Sequence, residues 1–193
     1  MHRSCATAQG LLLLLRRLLR FETTQAYYLH GRRRSRIRLH HWDTIFIGHH
    51  LFMLGPSLDI ADWNTRGLND QARKDVVHAM IADTPCHIAC LQETKLEFID
   101  HQTAAYIGGN RLRSFAHRPA IGTRGGILLL WNDDYIDMTN VHIGVHLISA
   151  DVLIRDCGTS FKITNVYGPS TDALKQEFLD EMVAAIPPLT QNG

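Results

Sequence analysis

Apolar residues recur along this chain in short blocks whose period switches between two and about four. Leu58-Asp59-Ile60-Ala61-Asp62-Trp63 reads as a strand, and Gly67 and Asn69 punctuate its exit. A helix follows, capped by Asn69 or Asp70 and running through Asp83, with Val76, Val77, Met80 and Ile81 as its apolar stripe and Pro85 as its stop. The next strand runs from about Cys86 to Leu91. A stretch read as a loop, containing Gly108-Gly109 and Pro119, leads to the buried strand Gly125 to Trp131 and the turn Asn132-Asp133-Asp134. Residues 145–155 and 160–167 alternate as two antiparallel strands around a hairpin turn at Cys157-Gly158-Thr159-Ser160. A last helix starts near Ser170 or Thr171 and reaches about Ala185. Leu174, Phe178, Met182 and Ile186 stack along it, and Pro187-Pro188 ends it. Residues 42–57 are apolar but carry neither period, and the pattern assigns them no element.

The strand, helix and strand between residues 58 and 91 form one β-α-β unit, so the pattern predicts parallel strands whose ends share a rim. Trp63-Asn64-Thr65-Arg66-Gly67 leaves one strand and Gln92-Glu93-Thr94-Lys95 leaves the other. Asn64 and Glu93 are therefore expected side by side, as an amide oxygen and a carboxylate. Such oxygens hold a hard cation such as Mg²⁺ against a phosphate. Each residue also has an ordinary reading: Asn64 as a strand-end turn residue, Glu93 as a solvated carboxylate. Gln92 either supports the site by hydrogen bonding or sits at the ladder edge. Arg124 could meet a phosphate, while Gly125 and Gly126 allow close strand packing.

Composition adds an asymmetry. The chain of 193 residues is 45% hydrophobic and 20% charged, with a net charge of +1. Residues 1–41 hold nine arginines against one acid, Glu22, whereas the rest hold eleven Lys and Arg against eighteen Asp and Glu. The folded part is thus mildly acidic, and contact with nucleic acid needs a local basic cluster or a bound cation. Residues 1–57 are read as a basic leader with no assigned domain, and 58–193 as the domain. The leucine-arginine stretch from Leu11 to Arg20 is too short and too interrupted to span a membrane. It is read as an organelle transit peptide or a leader without a role. Gly31 to Arg38 offers a nuclear-import or phosphate-binding cluster, and the nucleus is the expected location. Four scattered cysteines, Cys5, Cys86, Cys90 and Cys157, point to reduced thiols. Cys86 and Cys90 lack a second pair at zinc spacing and read as strand interior.

The strings DWNTRGLN, CLQETKL, GTRGGILLLWND and FKITNVYGP occur in this order, from Asp62 to Pro169. Their identity and spacing resemble the endonuclease/exonuclease/phosphatase superfamily, and most of all the endonuclease domain of plant LINE-type retrotransposons. The resemblance covers residues 58–186. It implies an α/β fold, the first part of a four-layer α/β sandwich, and DNA strand cleavage assisted by Mg²⁺ or Mn²⁺. It implies that Glu93 ligates the metal, that Asn64 lies beside it, and that Tyr167 reaches the scissile phosphate. The ordinary reading of Tyr167, an aromatic packed before Gly-Pro, stays open. Asp62 stands where the family usually carries a small residue.

The family site continues with a Gly-Asp-x-Asn strand end and a later Asp-His pair. No Gly-Asp-x-Asn string occurs here, and no histidine follows His146. Loss of a general base alone costs about 10²–10⁴-fold, and loss of several members of one catalytic unit on the order of 10⁶-fold. The expectation is a truncated endonuclease domain that does not cleave by itself. The second sheet is expected to be missing too, leaving residues 126–131 and 160–167 underburied and the chain prone to self-association. Two other readings stand beside this one: a phosphomonoesterase acting on an inositol phosphate or nucleotide, and a non-catalytic relic or nucleic-acid binder using the basic leader.

Overall fold

The computed structural model describes residues 34–37, 44–47, 51–54, 58–169 and 171–185. Strands β1 (Arg34–Ile37), β2 (Thr44–Ile47) and β3 (Leu51–Leu54) come first, followed by β4 (Leu58–Asn64), helix α1 (Gln71–Asp83) and β5 (Ile88–Gln92). Helix α2 (His101–Gly108), β6 (Ser114–Ile121), β7 (Arg124–Trp131), β8 (Ile136–Ile143), β9 (Leu147–Ile154), β10 (Ser160–Val166) and helix α3 (Lys175–Ala185) complete the order. One sheet runs β1-β3-β4-β5-β7-β6 and the other β2-β10-β9-β8. The expected α/β architecture is present, with two sheets and three α-helices among the described residues.

Local chemistry sets the element ends. The Asp70 carboxylate accepts the Arg73 amide at 2.8 Å and caps α1, which stops at Thr84 ahead of Pro85. Asp100 caps α2 in the same way through Thr103, at 2.7 Å. Val77 and Ile81 of α1 are buried, whereas Val76 is exposed. Strands β4 and β5 pair in parallel, with Asn64 opposite Gln92, as the β-α-β pattern requires. Strand β7 pairs antiparallel to β5, so its first residues reach the same rim.

Alternation along these strands separates two cores. Ala61, Ala89, Leu91, Leu128 and Leu130 face Val77 and Ile81 of α1 and Ala104 and Ile107 of α2. Leu58, Ile60, Ile88, Cys90, Ile127 and Leu129 face the second sheet, where Ile148, Ala150, Val152, Phe161 and Ile163 meet them. At the β8–β9 connection, α3 buries Phe178 edge-on to His146, and Glu181 accepts the amides of Val145 and His146 at 2.6 and 2.9 Å.

Four expectations need correction. Residues 44–47 and 51–54, which showed no period, are strands, and residues 34–37 form a third. The stretch read as one long loop contains α2 and β6. The second sheet is present, built from β8, β9 and β10 with β2, so Ile127, Leu129 and Ile163 are at most 1% exposed. The uncovered face offered as the cause of self-association is therefore covered. Leu174 of the last helical stripe is exposed and precedes α3 in a 3₁₀ turn, whereas Phe178 and Met182 are buried; Ile186 lies outside the described residues. The antiparallel pairing of β9 with β10 agrees with the pattern. The leader before residue 34, with Cys5 and the leucine-arginine stretch, lies outside the described residues.

Candidate functional site

Between the sheets the side chains come in levels, and the chemistry changes at the rim. Ile60, Cys90 and Ile163 are apolar or thiol. One step further along their strands stand Asp62, Gln92 and Asn165, all buried. The Gln92 amide nitrogen donates to the Asp62 carboxylate at 2.5 Å and to the Asn165 side-chain oxygen at 2.7 Å. Asn165 in turn donates to the Leu128 carbonyl at 3.3 Å. This chain of bonds ties β4, β5, β7 and β10 together across both sheets. Its burial, with the Asp62 charge as the second cause, pushes the Cys90 thiol well above its ordinary range. Cys86 and Cys90 are buried in different cores, and neither joins a group of three metal-ligating side chains among the described residues; Cys90 is strand interior as expected, whereas Cys86 lies in the connection before β5.

One further step leads to the rim. Asn64 ends β4, and its side-chain oxygen accepts the Arg66 amide at 3.1 Å, closing a tight turn. Glu93 follows Gln92 directly. The Thr65 amide donates to the Gln92 carbonyl at 2.9 Å and its hydroxyl to the Glu93 carbonyl at 3.2 Å, so the two strand exits are laced together. Glu93 pairs with Lys95, Oε1 to Nζ at 3.3 Å, with both side chains less than a third exposed. Tyr167 follows β10; its amide donates to the His146 carbonyl at 2.9 Å. Its ring carbons come within 3.8 Å of the place a Cβ on Gly125 would occupy. Lys95 donates its amide to Gly125 at 2.9 Å, so Tyr167 and the Glu93–Lys95 segment flank the same glycine.

Backbone strain gathers at the same place. Arg66, Glu93, Lys95 and Asn140 are the described non-glycine residues with positive φ, and the first three line the rim, at 54°, 54° and 57°. A left-handed residue costs roughly 1–2 kcal/mol, and such positions cluster where function demands a particular aim. Arg124 is exposed at the start of β7, while Gly125 and Gly126 let the segment after β5 lie against that strand.

The oxygen donors at these strand ends are the Glu93 carboxylate, paired with Lys95, and the Asn64 amide oxygen, which accepts the Arg66 amide. Among the described residues no group of three His, Cys, Asp or Glu side chains converges. That set suits a hard cation held by one carboxylate, with water and phosphate completing the shell. Gln92 Oε1 is buried and has no hydrogen-bond partner. A shallow cleft of about 290 Å³ opens at Asn64 and Thr65 and runs along α1 past Arg73, Val76 and Met80. Asn165 and Lys95 were not singled out from the sequence. The signal for Asn165 was available, since it is the polar member of the inward-facing series Phe161, Ile163, Asn165.

The sequence pattern described as the endonuclease/exonuclease/phosphatase family matches residues 63–191. The match spans about two-thirds of the chain, and the chain belongs to this family. No curated protein matches. Solved structures similar to it include the AP endonuclease LMAP from Leishmania major, at 17% identity and TM-score 0.46, covering 61% of this chain and 42% of that one. Another is the APE2 catalytic domain from Xenopus laevis, at 14% identity and TM-score 0.48, covering 69% and 55%. A third is TDP2 from D. rerio, humanized by 14 mutations, at 13% identity and TM-score 0.44, covering 66% and 54%. The chain thus spans about half the length of the solved structures it matches.

Proposed function

We infer that the domain carries the metal-holding and phosphate-facing part of a DNA-directed phosphodiesterase of LINE-retrotransposon descent. The observation that supports this is the placement of Asn64, Glu93 and Tyr167 at the ends of β4, β5 and β10, each one or two residues beyond a member of the buried Asp62–Gln92–Asn165 chain. Glu93, with the Asn64 oxygen beside it, would hold Mg²⁺ or Mn²⁺, which when bound polarises a phosphodiester and offsets the charge that develops on it. The Tyr167 hydroxyl donates a hydrogen bond to a nonbridging phosphate oxygen. Gln92 holds the two strand exits in place from below. No Gly-Asp-x-Asn string, the family's water-positioning element, occurs in the 193-residue sequence, so on this reading the chain binds but does not cleave. The basic cluster at 31–38 serves nuclear import.

Plasmid nicking and Mn²⁺ titration test the two halves of this reading. Wild-type protein is expected to leave supercoiled plasmid intact in Mg²⁺ or Mn²⁺, and to bind Mn²⁺ in a manner lost in Glu93→Gln. Nicking that disappears in Glu93→Ala would overturn the binding-only part. Mn²⁺ affinity unchanged in Glu93→Gln would overturn the metal assignment. Release of phosphate from an inositol phosphate or nucleotide panel would redirect the substrate to monoesters.

A further inference from the structure

The Glu93–Lys95 ion pair lies inside the site, and its construction is specific. Thr94, between the two residues, is completely buried beneath Gly126, so its neighbours on either side both turn outward to the rim. Both adopt positive φ, and both side chains are less than a third exposed. The aliphatic stem of Lys95 lies over Gly67. A Cβ there would stand 3.2 Å from Lys95 Cδ, and Gly67 itself has φ 112°, a conformation that favours glycine. The β4–α1 loop therefore leaves a slot shared by the lysine stem and Arg73 Nη1, which would stand 3.0 Å from a Cβ on Gly67, and the Lys95 ammonium is delivered to the Glu93 carboxylate. Lys95 is the basic side chain that forms an ion pair with Glu93 among the described residues.

Resting on the reading of Glu93 as a cation ligand, we propose that Lys95 is a built-in counter-ion that competes with the divalent cation and, once displaced, becomes a phosphate donor. A divalent cation held by Glu93 would place a double positive charge at the carboxylate that Lys95 otherwise neutralises. The ammonium, at 3.3 Å from the same group, is then repelled by a doubly charged neighbour and loses its partner. Its stem stays over Gly67, so the freed ammonium remains at the rim. Its three donors suit a phosphate oxygen, the ligand a carboxylate-held cation recruits to the same place. One residue thus neutralises Glu93 while the site is empty and adds positive charge for the phosphodiester once it is loaded. No bond is made or broken in this exchange.

The test is a Mn²⁺ titration of the full chain by electron paramagnetic resonance, comparing wild type, Lys95→Met and Lys95→Arg. Methionine keeps the stem and removes the charge. A partly exposed ion pair of ordinary strength corresponds to about two- to fivefold in affinity. Lys95→Met is therefore expected to bind Mn²⁺ about two- to fivefold more tightly, and Lys95→Arg to match wild type. A labelled oligonucleotide followed by anisotropy supplies the second reading. Mn²⁺ is expected to strengthen its binding to wild type and Lys95→Arg, and to do so less in Lys95→Met. Mn²⁺ affinity unchanged or weakened in Lys95→Met, against a wild type whose binding depends on Glu93, overturns the proposal alone. Binding that is the same in wild type and Glu93→Gln removes the underlying metal reading as well. A circular dichroism melt matching wild type confirms that Lys95→Met is folded; if it is not, Lys95→Gln takes its place.

Discussion

Gly126 is where the position of the rim is most sharply constrained, because a Cβ there would press on the segment that carries Glu93 and Lys95. Its φ is 87°, and a Cβ would stand 2.3 Å from Thr94 Oγ1 and 3.1 Å from the Lys95 amide nitrogen. The first neighbour is a side chain in a completely buried residue, with little room to turn. The second is backbone already bonded to Gly125, and Thr94 is bonded to Gly126 itself at 3.1 Å. The left-handed conformation costs roughly 1–2 kcal/mol for a residue with a Cβ, and the inserted methyl adds about 1–3 kcal/mol of overpacking. The expected loss is about 2–5 kcal/mol, a large share of the roughly 5–15 kcal/mol that stabilises a domain. Gly122→Ala is the control, because Gly122 also has positive φ, 58°, but nothing lies within 4 Å of its Cβ position. Urea unfolding should show a lower midpoint for Gly126→Ala than for Gly122→Ala, with a similar slope. Adding Thr94→Ala to Gly126→Ala should recover part of the difference, a coupling expected of residues in contact. If the two alanine variants unfold at the same midpoint, the close approach of β7 to the 93–95 segment is not what demands glycine here.

Three further outcomes follow from the same geometry. Glu93→Gly should be about 1 kcal/mol more stable than Glu93→Ala, because glycine adopts the 54° φ without a steric penalty; equal melting curves would mean that the strain is absent. Asn165→Leu leaves one Gln92 amide proton and the Leu128 carbonyl without their buried partner, so a loss of about 1–3 kcal/mol is expected in urea, and a neutral result would deny the cross-sheet bond its role. His87 is pushed below the ordinary imidazole value of 6.5 chiefly by burial, and its Nδ1 accepts the Asp59 amide at 3.2 Å, which a protonated ring cannot do. The unfolded chain then binds more protons than the folded one below about pH 6.5, so this group lowers stability as pH falls through that value, until the folded ring protonates too. The acid-side slope of stability should flatten in His87→Phe, and an unchanged slope would assign the effect elsewhere.

What the sequence made legible follows from signal length. The β4–α1–β5 unit has a 13-residue helix with a side-chain cap and strands buried on one or both faces, so its period and its punctuation agree. Helix α2 has only 8 residues, and its buried positions are Ala104, Ile107 and Gly108, too small and too few to make a visible stripe. Strand β6 carries Pro119, which argues against a strand except at a sheet edge, and an edge is where β6 lies. Strands β1 to β3 have four residues each, below the length at which alternation can be told from chance.

The misreading of the second sheet has a different cause, and it also explains why half of the site's framework went unseen. Residues 145–155 and 160–167 were read correctly as a pair, but period alone does not say against which surface a hairpin closes. The inward series Phe161, Ile163, Asn165 contains the answer. An asparagine following two large apolar residues on one strand face is costly unless a polar partner waits across the core. Gln92 on β5 and Asp62 on β4 break their own inward series at the corresponding step, after Ile88 and Cys90 on one strand and Leu58 and Ile60 on the other. Three strands that each turn polar at one level require that level to be shared, which sets β10 opposite β4 and β5 and closes the two sheets on each other. The same level marks where the strands end, because Asn64 and Tyr167 lie two residues beyond Asp62 and Asn165, and Glu93 lies one residue beyond Gln92.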